Sequence, residues 1–308
     1  MQIKSLLVAL VAFSAPHAAV AELPDYRYFV AGGVCAACSH GITTPIDVVK
    51  TKIQSDPSKY KGKSMLASAK EMVKEEGAGY LLAGLGPTVV GYGVEGAMKF
   101  GVYEALKPIS QKIIDSKAVA FLVASVVAGA VAAVLLCPME STRIRLVSDP
   151  KFGKGLLDGL PKLIREEGLM STFDGLAAML AKQVPYTLGK QVSFDVFAGL
   201  LYALAAKFGF EGSEMKFLIS FGAAFMASIL ACLSSQPGDM ILTKTYKSAG
   251  TGLSFIDVIK SINKDGGLPA FFTGTGARLA HVISIITSQL MIYDVVKVAL
   301  GLPATGSH

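Results

Sequence analysis

The chain has 308 residues, 52% of them hydrophobic, with no tryptophan and a formal net charge of +6. A mean hydropathy of +0.52 is too apolar for an ordinary soluble enzyme. The positive charge is scattered through loops such as Lys59–Lys63, which reads as a solvated membrane flank and not as the clustered footprint of a nucleic-acid binder.

Residues 1–25 form a leader. A short polar start with Lys4, the apolar Ser5–Phe13 and the small residues Ala19-Val20-Ala21 before Glu22 have the layout of a secretory signal peptide cleaved ahead of Glu22. A mitochondrial presequence is Arg-rich and amphipathic, and this segment is neither. It reads as a signal peptide leading to an endomembrane or plastid membrane, or as a hydrophobic extension.

The first unit covers 26–111. Tyr28–Ile46 contains no acid, lysine or arginine and a single His40, and about 20 such residues cross a bilayer core. Its Cys35–His40 stretch approaches the haem-attachment box C-x-x-C-H, but Ser39 separates Cys38 from His40. One extra position turns the ring by about 100° on a helix. Cys137 and Cys232 lie in separate apolar runs, so no disulfide framework and no zinc site is expected. The thiols read as small packed residues, and no cofactor or metal is called for. Ser64–Gly77 follows, with apolar residues at helical spacing and Lys and Glu on the other face, a segment that lies along the interface. A second apolar segment holds Glu95 and Lys99 and ends at Tyr103-Glu104.

The second unit, 112–209, repeats the order: the charge-free Ala118–Met139, the amphipathic Leu156–Gly168, and an apolar segment with Lys190 that ends at Phe194-Asp195. The third, 210–300, has the charge-free Phe217–Gly238 and a closing segment with Gln289 that ends at Tyr293-Asp294. Residues 301–308 are a tail. All three charge-free runs end in proline and an acid: Pro45-Ile46-Asp47, Pro138-Met139-Glu140 and Pro237-Gly238-Asp239, about 100 residues apart. The expected fold is an all-α membrane protein, with six transmembrane helices in three pseudo-symmetric two-helix repeats and short amphipathic interfacial helices.

The pattern P-x-[DE]-x-x-[KR]-x-[KR], complete at Pro45–Lys52 and Pro138–Arg145 and retained in part at Pro237, Asp239 and Lys244, resembles the mitochondrial carrier family. Ser55–Gly62, Gly86–Glu104, Glu166–Lys190 and Tyr293–Pro303 resemble its phosphate carriers in particular. The resemblance implies a transporter and not an enzyme, in the mitochondrial inner membrane. It would carry inorganic phosphate with proton symport or hydroxide exchange, with one chain as the transport unit and membrane lipids, cardiolipin included, at the interfacial helices. It also implies that Lys99, Lys190, Gln289 and Glu95 line the substrate cavity, and that His40 stands where many phosphate carriers place a helix-one histidine.

Alternating access needs two gates. Pro45, Pro138 and Pro237 bend their helices, so that Asp47, Glu140 and Asp239 meet Lys50 and Arg143 at the matrix-side gate. Leu242 fills the third basic slot, which leaves one acid without a ring partner. The opposite gate has Glu104, Asp195 and Asp294 with Lys107 and Lys297, and Ala198 in the third slot. These charges could also be simple helix ends in headgroup water. The resemblance departs in two places: Glu95 replaces a usual glutamine, and Gly129 and Ala133 stand where phosphate carriers have an acid pair. Proton coupling then falls to Glu95 and His40, unless Glu95 and Lys99 at i,i+4 merely neutralise each other. Two other readings stay open: transport of Cu(I) or another small anion, the copper case resting on Cys35 and Cys38, and a non-transporting structural subunit.

Overall fold

The computed structural model describes residues 25–209, 213–248 and 254–301. Most of the leader (1–24) and the tail (302–308) lie outside that description, as do the side chains of Asp195, Asp294 and Lys297. In chain order the helices are α1 (Tyr26–Ile42), α2 (Thr44–Ser55), α3 (Met65–Glu76), α4 (Leu85–Ile113), α5 (Lys117–Ser148), α6 (Leu156–Glu167), α7 (Leu176–Lys207), α8 (Ser213–Lys247), α9 (Phe255–Gly266) and α10 (Thr275–Ala299). Among the described residues there is no strand.

The long helices pack in sequence, α1 on α4, α4 on α5, α5 on α7, α7 on α8 and α8 on α10, and α10 returns to α1. This closes a ring around a central space. By length and composition α5 and residues 221–247 of α8 can each cross a membrane, and α1 with α2 can do so as one bent span. Helices α4, α7 and α10 run for 29, 32 and 25 residues, long enough to cross. They carry the ionisable groups that face the central space, which lowers their hydropathy.

The helix breaks at one of the three prolines expected to bend it. α1 and α2 meet at 66°, whereas α5 and α8 run continuously through Pro138 and Pro237. In the first repeat the Thr43 hydroxyl donates to Ser39 O (2.9 Å) and the Thr44 hydroxyl to His40 O (3.0 Å). Ser235, at the position of Thr43, makes the same bond to Ala231 O (2.7 Å) within the continuous α8, so the hydroxyl particular to the first repeat is that of Thr44, where Cys137 and Gln236 stand in the others.

Close crossing of α1 and α4 depends on glycine. A Cβ on Gly96 would lie 2.5 Å from Gly32 O and 2.5 Å from the Ala36 Cβ. Small residues at such crossings let membrane helices approach to backbone contact. Gly96→Val is therefore expected to force α1 and α4 apart at a cost of about 1–3 kcal/mol. A fall in the apparent unfolding temperature of purified protein would show it; an unchanged temperature would contradict the crossing.

The interfacial helices α3, α6 and α9 each bury two residues in matching positions, Ser68 and Met72, Gly159 and Leu163, and Val258 and Ile262, and leave their charged faces outward. Their starts are capped. Ser64 Oγ accepts from Ala67 N, and Ser254 and Asp257 cap each other. At α6 the Asp158 carboxylate accepts from the N–H groups of Lys154 and Gly155, which holds it below its usual range. Gly77, Gly168 and Gly267 end the three helices at positive φ, where a side chain would strain.

Candidate substrate cavity and gate

Below the central space, α2, α5 and α8 converge and bring the signature charges together. Asp47, Lys50, Glu140, Arg143 and Asp239 are each at most 4% exposed. Arg143 is the hub. Its Nε and Nη2 donate to the two oxygens of Glu140, both at 2.8 Å, and its Nη1 contacts Asp47 and donates to Thr51 Oγ1 at 3.1 Å. Lys50 Nζ reaches Asp239 Oδ2 at 2.7 Å. Gln54 adds a strut, with Nε2 donating to Asp239 Oδ2 at 2.9 Å while its Oε1 accepts from Thr243. Each pairing spans two repeats except Arg143–Glu140. Buried charges are tolerable only in such a satisfied network. Just beneath, Lys52 Nζ donates to Ser148 O at 3.1 Å and Lys247 Nζ donates to Ser55 O, which ties the ends of α2, α5 and α8 to one another.

The expectation that one acid would lack a partner is corrected here. Helices α7 and α10 supply what the third signature lacks. Lys182 Nζ lies 3.6 Å from Glu140 Oε1, Arg278 Nε 3.7 Å from Asp239 Oδ2, and His281 Nδ1 3.4 Å from Asp47 Oδ1. The Thr43 hydroxyl and His281 Nε2 are 3.3 Å apart. Sequence reasoning missed Lys182, Arg278 and His281 because it matched acids only with signature bases. A signal existed: Gly91, Lys182 and His281 stand at one common offset after Gly84, Gly175 and Gly274.

Above the gate is a cavity of about 490 Å³. Its walls include Lys99, Lys190, Gln289 and Glu95, the four residues expected to line it, together with His40. Lys99, Lys190 and Gln289 also share one offset in the three repeats. Lys99 Nζ contacts Glu95 Oε1 at 3.1 Å, and Gln183 Nε2 donates to the same oxygen at 3.5 Å. The His40 ring stacks on Tyr92 with centroids 3.6 Å apart and meets His281 edge-on at 6.2 Å. Lining bases Lys50, Lys99, Lys182, Lys190 and Arg278 outnumber the carboxylates Asp47, Glu95 and Asp239 by five to three. A small anion of two charges would balance that surplus.

At the other end Glu104 pairs with Lys107 of its own helix at 2.8 Å, both side chains 28% exposed, and Lys107 lies over the Tyr103 ring. The expected partners Asp195, Asp294 and Lys297 are outside the described side chains. The conformation is thus tightly closed at the proline end. Cys35 is buried and its thiol donates to Gln289 O at 3.4 Å, whereas Cys38 is exposed. Among the described residues no three His, Cys, Asp or Glu side chains gather to hold a metal.

Three two-helix repeats surround a charged cavity that inter-repeat ion pairs seal at one end, the architecture of a membrane transporter. The chain belongs to the mitochondrial carrier protein family, whose pattern matches residues 21–113, 115–203 and 213–302; it is a transporter and not an enzyme. Mitochondrial substrate carrier family protein N of Dictyostelium discoideum is 36% identical over 285 residues, covering 90% of this chain and 95% of that protein. Mitochondrial phosphate carrier protein 2 of Arabidopsis thaliana is 34% identical over 297 residues, covering 92% of this chain and 80% of the relative. Solute carrier family 25 member 3 of Homo sapiens is 31% identical over 289 residues, covering 90% and 78%.

Proposed function

We propose that the chain carries inorganic phosphate across the mitochondrial inner membrane by alternating access, coupled to protons, with one chain as the transport unit. The observation that carries the reading is the surplus of lysine and arginine in a cavity of about 490 Å³ closed at one end by ion pairs. The phosphate carriers among its relatives support the same substrate. Lysine suits a ligand that must also leave, because it holds an oxyanion as a point charge without a fixed fork geometry. In this reading the Asp47, Lys50, Glu140, Arg143 and Asp239 cluster faces the matrix, Glu104, Lys107, Asp195, Asp294 and Lys297 serve the opposite gate, and lipids such as cardiolipin meet α3, α6 and α9.

Proton coupling runs through Glu95, with His40 beside it. Phosphate on Lys99 competes for the ammonium that Glu95 now holds at 3.1 Å. The carboxylate, deprived of its cation, takes a proton from the side the cavity faces, and gives it up on the other side when the anion leaves and Lys99 pairs with it again. Uptake of labelled phosphate into proteoliposomes should therefore rise when the outside is acid. Glu95→Gln should keep phosphate-for-phosphate exchange and lose the response to the gradient. A normal gradient response in that variant removes Glu95 from the coupling, and no uptake by the unaltered protein removes phosphate as the substrate.

A further inference from the structure

Glu95 is held from two helices. Lys99, one turn further along α4, reaches its Oε1 at 3.1 Å, and Gln183 of α7 donates to the same oxygen through Nε2 at 3.5 Å. The first contact lies within one repeat, whereas the second joins the first repeat to the second across the cavity. Gln183, Tyr186, Thr187 and Lys190 follow one another at helical spacing and line the same wall. We propose that Gln183 is the positioning residue of Glu95: its amide donates to the carboxylate and, turned over, accepts from the protonated acid, so that Glu95 keeps its place when the anion draws Lys99 away. The proposal rests on the reading of Glu95 as the proton-coupling group.

The chemistry of the two partners differs. An ammonium has donors and no acceptor, so Lys99 can hold Glu95 only while it is ionised. A carboxamide carries both functions, and half a turn about its terminal bond exchanges them at the same place. The amide now points Nε2 at Glu95, the orientation that suits the carboxylate. At 3.5 Å this bond is long, and it shares its acceptor with an ammonium at 3.1 Å. When Lys99 leaves, the amide is the remaining partner. The acid that then forms takes its proton from cavity water and can donate its O–H to Gln183 Oε1, while the amide itself neither gains nor loses a proton.

Room for the turn comes from α5. A Cβ on Gly129 would lie 3.5 Å from Gln183 Cγ and 3.7 Å from its Nε2, so a longer side chain there would crowd the amide. Glu95 is 8% exposed, which leaves few waters to replace a lost partner. The other charged or titratable groups near it are Tyr92 on its own helix, His40 on α1, Lys182, Tyr186 and Lys190 on α7 and, beyond Tyr92, the Glu140 and Arg143 pair of α5. Among the described residues, the side chains that bond to Glu95 are those of Lys99 and Gln183.

The test uses the full chain in proteoliposomes, with phosphate-for-phosphate exchange at equal pH and gradient-driven uptake measured over a range of external pH. Gln183→Lys keeps a donor and removes the acceptor, so it should hold Glu95 ionised: exchange continues and the response to the gradient is lost. Gln183→Met is of similar length and offers neither function. It should keep the response but move its pH dependence upward by about one unit, the difference between a hydrogen bond to a carboxylate and one from its neutral acid. Opposite effects of the two variants support the role, because a merely structural glutamine would give both the same effect. An unmoved pH dependence in Gln183→Met overturns the proposal; if only the lysine variant inserts, a normal gradient response in it does so. An equal rise in the KM for exchange when Gln183→Met is placed in the unaltered chain and in Glu95→Gln also overturns it, since that marks a direct ligand of the anion. If the unaltered protein takes up no phosphate, or Glu95→Gln keeps a normal gradient response, the coupling reading fails and this proposal with it. If Glu95→Gln loses the response while both Gln183 variants keep the unaltered profile, the proposal alone fails.

Discussion

Arg143→Gln is expected to remove about 3–5 kcal/mol of stability, the usual consequence of deleting one member of a buried ion-pair network. Arg143 is 2% exposed and is the common partner of Asp47 and Glu140. Glutamine cannot span both carboxylates and brings no charge. Two buried anions would then depend on longer contacts, Glu140 on Lys182 at 3.6 Å and Asp47 on His281 at 3.4 Å and Lys50 at 3.9 Å. Since folded domains hold only about 5–15 kcal/mol in all, most of the protein should fail to reach the membrane or unfold well below the normal temperature. Arg143→Lys should fall between, because it restores the charge without the fork that grips both oxygens of Glu140. Thermal unfolding of the three forms, compared at equal yield, gives the order; equal temperatures for Arg and Gln would show that the hub carries no net stability.

Lys190→Gln should act in the opposite way, leaving the fold intact and slowing transport. Lys190 is exposed to the cavity and, among the described residues, has no carboxylate partner. Its neutralisation therefore breaks no ion pair, and the stability change should stay within about 0.5 kcal/mol. A charge-assisted hydrogen bond to an anion is worth about 1.5–3 kcal/mol, which lowers uptake by roughly 10- to 150-fold at one decade per 1.36 kcal/mol. Unchanged uptake kinetics with normal reconstitution would take Lys190 out of the binding site. Lys99→Gln should be a weaker version, because Lys99 is already shared with Glu95 at 3.1 Å.

The two variants separate what each lysine or arginine does by where it lies. Charges of the proline-end cluster hold repeats together and should register first in stability. Charges of the cavity wall register in transport. Lys182 belongs to both sets, since it lines the cavity and lies 3.6 Å from Glu140 and 3.7 Å from Asp239.

The one-dimensional record already held the repeats, because each is marked by an apolar run that ends in proline and an acid at about 100-residue spacing. It held the interfacial helices, since amphipathic periodicity is a local property. It also held Glu95, Lys99 and Lys190, because a charge within an apolar stretch is costly unless it faces a cavity. Three things were decided only in the folded chain. The break at Thr43 occurs at one proline of the three, a choice that the prolines themselves do not distinguish. The partners Lys182, Arg278 and His281 depend on how α7 and α10 are rotated against α8 and α2, which pairing within a signature cannot express. The need for glycine at 238 arises only because α7 passes so close that a Cβ there would lie 2.5 Å from Lys182 N. Local spacing fixes which residues share a helix face, whereas ion pairs and backbone contacts between distant segments depend on angles and distances that arise only when the helices pack.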